Sequence, residues 1–249
     1  MANHSTSSAR VSPQHFSQTR WSLVLDLRHP SADLAARSLR DLSQRYWYPI
    51  YAYVRRSGHD AASANALCLA FFAYLPGALA EADPRGKGRF RDFLLDRMNA
   101  FLRDDWRNYQ SLIAQQGLVP PFTPEQLESR LAAEPDANVT PTQAYHRSFA
   151  LEVLSRSLRR LAAEAAQGGR NAMFEVLQPF LTAEPVAGQY QELAQQLKLP
   201  PMVVAIAVKR MRQRFRELAE EELLETVASP ADLEAERTSL ARMLSGHSE

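Results

Sequence analysis

The spacing of apolar residues constrains the fold of this chain more tightly than any other feature. Leu23, Leu27, Leu34, Leu39, Leu42, Tyr46, Ile50 and Tyr53 recur at intervals of three, four or nearby multiples. That separation puts side chains on one face of an α-helix. No long alternating run suggests a sheet, so the expected fold is all-α. Gly58-His59-Asp60 breaks the first helical hairpin. Asp60 is placed to cap an apolar helix that runs to Leu75, where Pro76-Gly77 is expected to stop it. Arg85-Gly86-Lys87-Gly88-Arg89 reads as a loop leading into an amphipathic helix with Phe90, Phe93, Leu94, Met98, Phe101, Leu102 and Trp106.

Composition changes at about 111–141, where Pro120, Pro121, Pro124, Pro135 and Pro141 are interspersed with acids and small residues. This predicts a linker with one short helix around 125–133. Further helices are expected at 143–166, at 171–181, as a pair within 190–215, and at 230–244. The expected division is a disordered tail at 1–17, a first helical domain at 18–111 and a linker at 112–141. A second helical domain follows at 142–228, then a C-terminal helix or extension at 229–249.

At 249 residues the chain has room for one large domain or two small ones, and a net charge of +1 says little about partners. No apolar stretch is read as approaching the ~20 residues of a membrane helix. The Ser-rich N-terminus lacks the apolar core of a secretory signal. The expected location is the cytoplasm, away from membranes. Cys68 has no possible internal partner and sits among Leu67, Leu69, Phe71 and Phe72, as a buried, inert thiol would.

Charge patterning is more informative near the C-terminus. No acidic residue occurs from Lys198 to Arg216, while Lys209, Arg210, Arg212, Arg214 and Arg216 gather on a helix whose spacing fits the second member of a helix-turn-helix. Such a local field points to nucleic acid. The start of the same helix is apolar instead: Pro200, Pro201, Met202, Val203, Val204, Ala205, Ile206.

Several stretches then bring a known family into view. They are Gln44 through Arg56, Gly58-His59, Phe71-Phe72, Gly88-Arg89-Phe90-Arg91, Phe101-Leu102 and Trp106-Arg107. Further along come Tyr190, Leu193-Ala194, Leu197 and Lys209-Arg210-Met211-Arg212. In this order they resemble the promoter-melting and promoter-binding domains of the extracytoplasmic-function sigma factors. Thr19 through Leu25 and Glu225-Thr226-Val227 resemble a branch abundant in planctomycetes.

The resemblance implies a non-enzymatic initiation factor that docks on the clamp and flap of bacterial RNA polymerase core and binds promoter DNA. It needs no cofactor or metal. In the melting domain it implies DNA contacts by Arg85, Lys87, Arg89, Arg91, Arg103, Trp106 and Arg107, with Arg97 adding charge and Phe90 or Trp106 stacking on bases. The competing reading puts both aromatics in the core and the arginines on a solvated face, partly cancelled by Asp92, Asp96, Asp104 and Asp105.

In the helix-turn-helix the resemblance implies contacts by Lys198, Met202, Ala205, Ile206, Lys209, Arg210, Arg212 and Arg214, with Arg212 and Arg214 alternatively on a solvated helix end. Met202, Ala205 and Ile206 stand where polar side chains usually read base edges, which predicts weak sequence discrimination. The docking helix departs as well. Where that branch carries Asp-Leu-Thr-Gln-Glu-Phe-Phe, this chain has Ala66-Leu67-Cys68-Leu69-Ala70-Phe71-Phe72. Ala66, Leu67, Leu69, Ala70, Phe71 and Phe72 would form a docking surface without charge-assisted contacts.

Two explanations fit that loss. Either a Ser/Thr kinase phosphorylates Ser63 and restores negative charge, or the apolar face of Leu67, Leu69 and Ala70 binds a partner protein or another copy of the chain; an anti-sigma-type regulator is a further expected partner. The expectation is a conditionally active sigma factor. The alternative is a sigma-derived DNA- or protein-binding regulator that no longer directs initiation. Scattered histidines show no ligand spacing and no phosphate-binding loop is present, so an enzyme has little support. The C-terminal helix either packs back on the second domain or masks the basic helix, with Glu217, Glu220, Glu221, Glu222 and Glu225 adding to the masking.

Overall fold

The computed structural model describes residues 26–27, 31–80, 89–103, 113, 117–134, 139–183, 185–186, 188–227 and 229–245. All regular structure in them is helical. In chain order the α-helices are α1 (Ala32–Arg56), α2 (Ala61–Ala80), α3 (Phe90–Arg103), α4 (Pro124–Ala133), α5 (Pro141–Gln167), α6 (Asn171–Leu177), α7 (Gln189–Leu197), α8 (Pro201–Leu224) and α9 (Leu233–Leu244). Short 3₁₀ turns follow α6 at Gln178–Leu181 and precede α9 at Pro230–Asp232.

Gly58, at φ 99°, turns the chain between α1 and α2, and the Asp60 carboxylate caps α2 by accepting the Ser63 N–H at 2.9 Å. Pro76-Gly77 does not end α2, contrary to expectation. The helix continues to Ala80 with Pro76 inside it. Pro76 has no N–H to give the preceding turn, but Leu75 and Leu79 on either side are completely buried, and that burial holds the last turn in helical geometry. The extended helix also corrects the reading of apolar stretches. Ala61–Leu79 is long and apolar enough to cross a membrane by length and composition, and half of it is buried inside the fold.

The proline-rich stretch is also more structured than its composition suggests. Thr123 and Thr140 each begin a helix with a complete capping box, paired with Gln126 and Gln143, and Pro124 and Pro141 follow as first helical residues. Proline suits that position because its missing N–H would have had no intrahelical partner. These prolines start helices rather than interrupt them.

Helix α4 is docked against α1 and α2. Leu127 is fully buried, the Arg55 guanidinium grips Glu128 with two bonds at 2.7 and 2.9 Å, and the Tyr48 hydroxyl donates to Glu134 at 2.6 Å. Residues 117–134 are thus part of the packed body.

The most extensive helix pairing is between α1 and α5. Tyr46 of α1 sits between Phe90 of α3, with ring centroids 5.4 Å apart, and Phe149 of α5, stacked at 5.7 Å. Trp47 stacks on Phe72 at 5.3 Å. This cluster draws on α1 to α5 and on Leu223 and Leu240 near the C-terminus. A second cluster gathers Leu161, Phe174, Leu177, Leu193, Val204, Val208 and Leu218. Helix α5 belongs to both clusters, its first half to one and its second half to the other.

Candidate nucleic-acid interface

Helices α7 and α8 are joined by a tight turn of three residues, where a helix-turn-helix is expected. Helix α7 ends at Lys198, the one non-glycine residue with positive φ among those described, at φ 54° and ψ 42°. There the Leu199 N–H returns to the Ala194 carbonyl at 3.0 Å, as at helix ends normally closed by glycine. Pro200 is extended, with φ −60° and ψ 142°, and its carbonyl accepts from Val203 and Val204 to start α8. Leu193 and Ala194 share the second cluster with Val204 and Val208, and the two helices are in contact.

The outer edge of α8 carries Met202, Ile206, Lys209 and Arg210, all exposed, while Ala205 is half-buried. Lys198 is exposed at the turn. The other two expected phosphate ligands are engaged within the fold. Arg212 donates to the Phe180 and Ala183 carbonyls at 2.7 and 2.6 Å, fastening the 3₁₀ turn to α8. Arg214 forms a two-pronged pair with Glu164 of α5 at 2.7 and 2.9 Å and also meets Glu217 and Glu221. Each is occupied structurally, because a planar guanidinium satisfies carbonyls and carboxylates that packing brings within reach.

Most of the acidic end of α8 is engaged with other elements, while Glu217 and Glu221 also meet Arg214 of the basic run. Glu222 is buried among Arg45 of α1 and Arg156 and Arg160 of α5. Glu221 pairs with Arg160, Glu225 with Arg45, and Glu220 with Arg237. These acids tie α8 to α1, α5 and α9.

In the expected melting surface, Arg85, Lys87, Trp106 and Arg107 lie outside the described residues. Arg103 is exposed at the end of α3. Phe90 is fully buried beside Tyr46 and is core. Arg91 is fully buried and donates to both carboxylate oxygens of Glu236 in α9, at 2.7 and 3.0 Å; Arg89 reaches the same carboxylate at 2.7 Å. The Tyr145 hydroxyl donates to the Arg91 carbonyl at 2.8 Å, and Phe90 N–H donates to the Thr226 carbonyl at 3.2 Å. Two residues read as phosphate ligands therefore anchor the C-terminal helix. Sequence reading missed Glu236, whose partner lies 145 positions away and leaves no local pattern.

Of the expected docking surface, Leu67, Ala70, Phe71 and Phe72 are buried, and only Ala66 and Leu69 are partly accessible. Cys68 is fully buried, and burial pushes its thiol pKa up. The Ser63 hydroxyl donates to Asp60 at 2.8 Å, so a phosphate on Ser63 would stand against the Asp60 carboxylate, an unfavourable juxtaposition of like charge.

No family model matches this sequence, and no curated protein or solved structure matches it significantly.

Proposed function

We propose that this chain is a DNA-binding transcription regulator, related to the sigma factors, that holds duplex DNA through the α7–α8 helix-turn-helix with little sequence preference. The observation carrying this is the exposed edge of α8. Lys209 and Arg210 stand there with no acidic partner among the described residues, with Lys198 exposed at the turn, while Arg212 and Arg214 tie the helix to neighbouring elements. A helix fixed in this way can enter a major groove while its cations meet the flanking phosphates. Met202 and Ile206 can touch a thymine methyl and little else, so affinity would come mostly from charge. The decisive test is duplex binding by fluorescence anisotropy over a range of salt concentrations. The paired substitution Lys209→Ala and Arg210→Ala should lower affinity at least tenfold and reduce the slope of log K against log salt by about two. An unchanged slope would remove the DNA reading.

A second reading, a sigma factor that docks on RNA polymerase core and melts promoters in the cytoplasm, draws support from the C-terminal helix. Glu236 holds Arg89 and Arg91, so a change that released α9 would free cations on the face expected to meet unpaired DNA. Against constitutive initiation stand the buried docking residues of α2 and the sharing of α5 by both clusters. Co-purification with core RNA polymerase separates the readings. Under the regulator reading neither the full chain nor one ending at Val227 is retained. Retention of the shortened chain alone would favour a conditional initiator.

A further inference from the structure

The helix-turn-helix does not close fully against the helices behind it. Between the distal half of α5, α6 and the outer edge of α8 lies a groove of about 510 Å³, within the ~300–1,000 Å³ usual for small-molecule sites. Its floor is formed by Leu161, Leu177 and Met211, which are almost fully buried, and Met173, Phe174 and Ile206 stand along its sides. Five large apolar residues are exposed among the described residues, and three border or adjoin this groove: Met202 at 71%, Val203 at 43% and Ile206 at 44%. An apolar face with such a rim is a place for an apolar ligand.

Charge restricts the ligand further. Arg170, Arg210 and Arg214 line the groove against one acid, Glu164. Glu164 is already gripped by Arg214 through two hydrogen bonds and also interacts with the charge of Arg170, so three guanidiniums share one carboxylate and the lining keeps a net positive charge. A cationic ligand would be repelled. A polar neutral one would find few hydrogen-bond partners on a floor of leucine and methionine.

We propose that the groove binds a free anionic amphiphile, a single-chain carboxylate whose tail lies on Leu161, Phe174, Leu177 and Met211 and whose head group meets Arg170 and Arg210. Burying an alkyl chain supplies the affinity, and the guanidiniums select the carboxylate. The site stands on the groove alone. Where the DNA reading also holds, Ile206 and Arg210 serve both ligands, and an occupied groove excludes duplex. Because binding is measured without DNA, failure of one reading leaves the other intact.

The test is calorimetric titration of the full chain with dodecanoate below its micelle concentration, beside dodecanol, dodecyltrimethylammonium and anionic phospholipid vesicles. The expected result is one dodecanoate per chain and a rise in melting temperature, with dodecanol bound about tenfold more weakly. Arg170→Glu, which lies off the DNA-facing edge, should weaken dodecanoate binding at least tenfold, and Ala207→Trp, which fills the groove, should abolish it while circular dichroism stays unchanged. Absence of saturable uptake, equal affinity for all three head groups, uptake unaffected by folded Arg170→Glu protein, or binding to vesicles alone would each overturn the proposal.

Discussion

His146 lies against Arg91, with its Nδ1 facing the guanidinium and its Nε2 3.9 Å from Asp92. To accept from Arg91, Nδ1 must be the unprotonated nitrogen, so the ring is neutral. Burial, then the charge of Arg91, lowers its pKa from 6.5 to about 4, with Glu236 opposing and Arg89 adding to the fall. The unfolded chain takes up this proton at a higher pH than the folded one. Stability present above pH 6.5 is therefore lost as pH falls toward 4, by up to about 3 kcal/mol. Urea midpoints at pH 7.5 and 5 measure the loss, and His146→Gln should shrink the difference between them. An equal difference in the variant would put the pH response elsewhere.

At the scale of elements, α9 illustrates how a polar contact fixes a helix that its apolar residues only partly specify. Leu240 is buried, and Leu233, Met243 and Leu244 pack on the same cluster, yet the orientation of α9 toward α3 depends on Glu236 meeting Arg91 and Arg89. Removing one member of a buried pair leaves a desolvated charge behind. Glu236→Ala should cost about 3–5 kcal/mol by urea denaturation, whereas Glu236→Leu combined with Arg91→Met should recover most of that loss. If Glu236→Ala is neutral, the pair does not hold the helix. Helix α2 shows the opposite case: Pro76 and Gly77 signal a stop, and the burial of Leu75 and Leu79 overrides them.

For the whole molecule the central fact is the position of α5. Its Tyr145, Phe149, Ala150 and Val153 complete the cluster built by α1 to α4, while its Leu161 belongs to the second cluster, shared with α6, α7 and α8. Glu222 extends the same connection, holding Arg45 on one side and Arg156 and Arg160 on the other. A fragment of residues 31–134 would leave Tyr46 without Phe149 and α1 without its most extensive helix contact. It should show little cooperative unfolding by circular dichroism, while the full chain unfolds in a single transition by both circular dichroism and tryptophan fluorescence. A stably folded fragment would mean that the first helical block is an independent domain.

Local chemistry was written in the sequence because its partners lie within a few residues of each other. Helical periodicity made the chain all-α, Asp60 announced the start of α2, and the cationic spacing from Lys198 to Arg216 located helix α8. The helices expected at 125–133 and 143–166 are present as Pro124–Ala133 and Pro141–Gln167, their starts set one or two residues earlier by Thr123-Pro124 and Thr140-Pro141. Tertiary structure decided which cations are available. Arg89, Arg91, Arg212 and Arg214 look like Lys209 and Arg210 in the sequence, but their partners are brought in from other elements: a Glu236 carboxylate, the Phe180 and Ala183 carbonyls, and Glu164. Charge is a property of the residue, whereas its availability to a partner depends on whether folding has delivered an acceptor to it.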